Sequence, residues 1–293
     1  MNRVGRVCAA GAVVGTIAGG VLLSGQNASL PEPRKGFGAS VTGAFEGWYY
    51  NDDGSRSFLV GYYNRNLQQA PDVPVGPNNR IDPGGPDMGQ PTHFLPGRQW
   101  GMFTVPAPKD FKPTDSYVWT IVANGQSTSI PLRLHPDYVM SPFEEIAVGN
   151  TPPVLRFEPN GKTVQGPRAS LAAPVYTASV SAAAPLNVWV SDDAKYTSGS
   201  NAPPSGARAP VQVRWSKYRG PGAVTFDKPR PEVEKLQSEG STTPFSGKAT
   251  VNAKFAEPGD YYLHVIGNDY SGDGGGGFGC CWTTTLVKVA VKP

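Results

Sequence analysis

The ionisable residues that could act together fall in three places. In the stretch 68–98, Asp82, Asp87, His93 and Arg98 stand among prolines 71, 74, 77, 83, 86, 91 and 96. Carboxylates beside an imidazole and a guanidinium can supply an acid, a base and an anion contact, so this loop is a candidate binding site and, as an alternative, the centre of a secreted hydrolase. A loop of this length is uncommon without a reason, and a rigid cover over a sheet edge is the plainer one. The second place is the pair Asp192-Asp193 with Asn268, Asp269 and Asp273. If both segments are loops at one end of a sandwich, their oxygens converge as a hard cation such as calcium requires; otherwise they cap turns. The spacing is not that of an EF-hand. The third place is Cys280-Cys281, the two cysteines left once Cys8 is removed with an export signal. They read as a vicinal disulfide, with free thiols or a soft-metal or intermolecular role as alternatives. Across a trans peptide their Cα atoms would lie about 3.8 Å apart, under the usual disulfide range.

Other catalytic signatures are missing. The three histidines, His93, His135 and His264, are too far apart for a helical metal motif, and no Gly-x-Ser-x-Gly, phosphate loop or zinc cysteine pattern occurs.

The elements that must position these residues are strands. In 293 residues there are 36 glycines and 30 prolines, which leaves little room for long helices. Only 17% of residues are charged and the net charge is +3, with Arg3 and Arg6 in the N-terminal segment. A near-neutral mature chain argues against nucleic-acid binding through a basic surface. Residues 1–28 have the basic start, apolar run and small-residue end of a signal peptide. Export to the periplasm, cell surface or exterior follows, with no membrane span in the mature chain. Residues 29–40 read as a linker.

An N-terminal β domain is expected over 41–150, as a β-sandwich or small barrel. It holds a hairpin turning at Asn51–Ser55, a strand over 99–105 and a second hairpin turning at Asn124-Gly125. Residues 151–173 read as a connector, of which 154–157 could still pair with the first sheet. Seven strands over 174–293 fit an Ig-like sandwich, with Trp215 in its core and Tyr261 as a tyrosine at a strand start closing onto nearby backbone. The fold class is therefore all-β. Trp48, Tyr49, Tyr62 and Trp100 are candidates for stacking on sugars, although strand alternation buries about half of such residues.

Trp215-Ser216-Lys217-Tyr218-Arg219-Gly220-Pro221-Gly222, followed by Ala249–Phe255 and Pro258-Gly259-Asp260-Tyr261, resembles the Ig-like modules of polycystic-kidney-disease (PKD) type in bacterial secreted and surface proteins. The resemblance covers about the last 120 residues, the size of one Ig-like unit, and implies a noncatalytic spacer or adhesive unit. The glycine run and the cysteine pair depart from the pattern. Glu46–Gly54 and Gly61–Asn66 resemble exported bacterial proteins to which no activity is assigned. A noncatalytic binding or structural module of the cell envelope or exterior is therefore expected, with a cell-surface protein or a glycan as partner. A subunit of a cell-surface assembly is a further alternative.

Overall fold

The computed structural model describes residues 32–146, 148–195, 206, 209–236, 244–270 and 280–293. The protein is all-β. Residues 1–28, where a signal peptide is expected, Asp273 and the glycine run 274–277 lie outside the described residues.

The first sandwich uses β1 (Val41–Tyr50), β2 (Arg56–Asn64), β3 (Asn79–Asp82), β4 (Gly97–Ala107), β5 (Tyr117–Ala123) and β6 (Gln126–Leu132). One sheet runs β1-β2-β4 and the other β3-β5-β6. Both expected hairpins form, β1 with β2 and β5 with β6. Asp53 closes the first turn by accepting from the Ser55 backbone N–H at 2.9 Å. Phe58, Val60, Phe103, Trp119 and Ile121 fill the space between the sheets. The proline-rich stretch is less irregular than its composition suggests, because β3 pairs along β5 and covers that edge. Asn79 fixes the fold of the loop: its side-chain amide donates to Val73 O and Pro91 O, while its Oδ1 accepts from Trp119 Nε1.

After a single 3-10 turn (Pro136–Tyr138), the second sandwich takes in β7 (Val154–Arg156), β8 (Val164–Gln165), β9 (Ser170–Ser179), β10 (Ala184–Asp192), β11 (Gln212–Arg219), β12 (Val224–Phe226), β13 (Glu234–Lys235), β14 (Phe245–Phe255), β15 (Gly259–Asn268) and β16 (Trp282–Lys292). One sheet runs β12-β14-β10-β7-β8, with β13 also on β14; the other runs β11-β15-β16-β9. Residues 154–156 pair with β10 of this sandwich and not with the first sheet. The stretch read as a connector thus contributes β7 and β8. All seven strands expected here form, and the last, β16, lies parallel to β9. The Tyr261 hydroxyl donates to Glu257 O at 2.9 Å and accepts from Gly222 N–H at 3.0 Å, which is the expected tyrosine closure. Gly220 crosses this ring at φ 143°, and a Cβ there would lie 2.2 Å from Tyr261 Cδ1.

The alternation of β15 shows how the sheets stack. Tyr261, Leu263 and Val265 point into the second sandwich's own core. Tyr262, His264 and Ile266 point the other way, towards the first sandwich. Tyr262 and Leu286 pack on the first core, while Ile266 packs with Trp282, Tyr49 and Leu59. The sheet β1-β2-β4 therefore has both faces covered, and β2 is buried along almost its whole length.

Candidate functional site

The four candidate residues of the proline-rich loop do not converge. Asp82 pairs with Arg80 at 2.7 Å on the surface. Asp87 receives both terminal nitrogens of Arg219 at 2.8 Å, and this bidentate pair holds its carboxyl below the usual range. His93 Nδ1 lies 3.0 Å from Asp72 Oδ1, which also accepts from Lys217 Nζ at 3.1 Å. Burial works to raise the Asp72 pKa, but the bonds to His93 and Lys217 together outweigh it and leave it lowered. Arg98 lies on β4 and not with the loop residues, where it pairs with Glu46 at 2.9 Å and its guanidinium carbon sits 3.7 Å from the Trp100 ring centre.

Two of these pairs join the two sandwiches, and a third contact lies between them. The phrase Trp215–Gly222 supplies one side of each: Lys217 meets Asp72, Tyr218 enters the first core, and Arg219 meets Asp87. The Tyr218 hydroxyl donates to Gly89 O, and Tyr218 O accepts from Thr92 N–H and His93 N–H at 3.2 and 3.1 Å. Arg219 Nε adds a bond to Gln90 O at 2.9 Å. The loop is a latch closed on β11. Sequence reading missed Asp72, Lys217, Tyr218 and Arg219 as its working parts, because the partners lie 129 to 145 residues apart.

Beside the latch, where the edge strands β11 and β12 part, a cleft of about 600 Å3 opens. His93 and Leu95 form its loop side, Trp215 and Lys217 its β11 side, and Phe226 and Arg230 its far side. A volume of this size suits a small ligand.

Two ionisable groups are buried in the seam itself. Glu46 is pushed up to about 7 by burial, against the pull of Arg98 and the Gly101 N–H. The bridge from Glu46 to Arg98 passes over Gly61, where a Cβ would sit 2.1 Å from Glu46 Oε1, so glycine is required. His264 is stacked on Tyr218, its ring centre 6.0 Å away, and neither ring nitrogen has a hydrogen-bond partner among the described residues. Burial, with Arg214 nearby, drops its pKa to about 3.

At the other loop end, Asp192 lies within electrostatic reach of Asp269 and Asp193, and Asn150 joins them. Asn150 Nδ2 donates to Asp269 Oδ2 at 2.7 Å, and Thr151 donates to Asp193 Oδ2 from both N–H and hydroxyl. Asn268 Oδ1 accepts from the Tyr270 N–H at 2.9 Å. Asp192 is buried; its Oδ1 accepts from Ala194 N–H, while Oδ2 has no partner among the described residues. Burial first, and then the charges of Asp269 and Asp193, push its pKa up to about 7. Among the described residues no three His, Cys, Asp or Glu side chains converge to hold a metal. An ion here would rest on the Asp192 and Asp269 carboxylates and on carbonyl oxygens. Next to Asn150, Cys280 and Cys281 are buried and bonded to each other across a cis peptide, with Cα atoms 3.1 Å apart and Cys281 Sγ 3.4 Å from Asn150 O.

Of the aromatic residues considered for sugar stacking, Trp48, Tyr49 and Tyr62 are buried in packing, and Trp100 is exposed beneath Arg98.

A scan against protein-family models gives no match, and no curated protein matches the chain. Among solved structures, "Crystal structure of the S-layer protein SbsC domains 4 and 5" aligns at 11% identity over 87% of this chain and 98% of that one. Its TM-score is 0.22, too low to carry an argument. No helix among the described residues is long and apolar enough to cross a membrane.

Proposed function

We propose that this chain is an exported, noncatalytic binding or structural module of the bacterial cell envelope or exterior, its second sandwich of PKD type. The observation that carries the reading is the latch. Asp87 and His93, which could have done chemistry together, are instead held by separate partners at the seam, while Asp82 and Arg98 are held elsewhere. Such contacts serve to keep two sandwiches in one fixed relation, which a spacer or adhesive unit needs and a loop enzyme does not. The test is recovery of the protein from fractionated cells with its mass measured. The expected product is a chain shortened by about 28 residues, the length of the signal segment, found outside the cytoplasm. A full-length chain in the cytoplasm would contradict export.

Assembly with other copies or proteins is favoured by one feature. β9 is ten residues long, ends its sheet and leaves Leu171 and Val175 more than half exposed. An edge of that kind invites pairing with another strand. A calcium ion at the Asp192 end is supported by the unpartnered Oδ2, because an oxygen buried there gains from a cation.

A further inference from the structure

The cleft beside the latch has more cationic than anionic side chains in its lining. His93, Arg214, Lys217, Lys228 and Arg230 line it, against the single carboxylate of Asp227. Asp227 is already engaged, accepting from the Asn252 N–H at 2.9 Å and side-chain amide at 2.7 Å. Lys217 is neutralised by Asp72. Lys228 and Arg230 are exposed and make no salt bridge among the described residues.

The wall below these charges is apolar: Leu95, Val224 and Phe226.

We propose that the cleft binds a small organic anion with an apolar body. The acid head lies towards Lys228 and Arg230, and the body rests on Leu95, Val224 and Phe226. A neutral ligand would leave the cationic rim unanswered, and a bare inorganic anion would leave the apolar wall wet. This goes beyond the module reading, which stands or falls on export and on the latch.

The probe is 4-phenylbutyrate, titrated by calorimetry into the protein at low salt, with its neutral amide and with butyrate as comparisons. Saturable binding of the phenyl acid is expected, at least about tenfold tighter than that of the amide or of butyrate, since a charge-assisted bond and a buried ring each contribute that much. The double variant Lys228→Gln, Arg230→Gln changes two exposed side chains and should keep the fold. It should weaken the acid roughly tenfold and leave the amide unchanged. Phe226→Ala should weaken both phenyl compounds. Equal binding of acid and amide, an unaltered acid affinity in the double variant, or no saturable binding up to about 10 mM, a generous limit for a ligand of this size, would overturn the proposal.

Discussion

His264 and Asp192 are both buried, and their pKa values move in the directions that disfavour the charged form. For His264, the folded value of about 3 lies below the ordinary 6.5, so the unfolded chain binds the proton more readily. Stability should fall as pH drops from about 6.5 towards 3, by roughly 1.4 kcal/mol per pKa unit at most. In His264→Leu, urea unfolding at pH 4 and pH 7 should give midpoints much closer together than in the parent; an unchanged acid loss would refute the role. Asp192 is the opposite case, because its folded value of about 7 lies above the ordinary 3.8. Its contribution to stability falls as pH rises from 3.8 to 7. Asp192→Asn should therefore raise stability at pH 8 in chelator, by about 1–3 kcal/mol. If calcium binds there, the same substitution should remove a calcium-dependent rise in melting temperature. No shift of the parent at millimolar calcium would leave Asp192 a buried acid that holds a proton. Neither residue's burial was legible in sequence, since it depends on what distant segments pack against each side chain.

At the scale of the elements, hairpins and periodic strands were legible and the short strands were not. β1, β2, β5 and β6 announce themselves through aromatic and β-branched runs around Asp-Gly and Asn-Gly turns. β3 has four residues inside a proline-rich stretch, and β7, β8 and β13 have three or fewer, too few for any period to show. One signal was available and unused. Phe58-Leu59-Val60-Gly61-Tyr62 is a continuous apolar run, the mark of a strand buried on both faces, and β2 is that strand. Gly61 sits in it as the gap through which Glu46 reaches Arg98. Gly61→Ala should break that pair and leave a buried carboxylate unanswered, costing about 3–5 kcal/mol in equilibrium unfolding; a loss under about 1 kcal/mol would show that the bridge can move aside. Of the candidate site, the acidic loop end was legible, since Asp192, Asp193 and Asp269 flank turns at one end of a sandwich. The cationic cleft was not, because its walls come from residues 93–95, 214–217 and 224–230.

On the scale of the whole molecule, residues 32–293 form one compact unit. Two sandwiches that merely follow each other would share little, yet here the outer face of β1-β2-β4 lies against β11-β15-β16-β9, and the proline-rich loop closes over the join. Tyr218 is the point where the two cores meet, a residue of β11 wholly buried in the first core. Removing its ring should cost about 3–5 kcal/mol and fall mainly on the coupling between the halves. The most direct measurement is scanning calorimetry of the protein beside the Tyr218→Ala, Arg219→Ala variant. A single transition whose calorimetric and van't Hoff enthalpies agree is expected for the parent, and two separable transitions for the variant. Two independent transitions in the parent would contradict a latched, one-body protein.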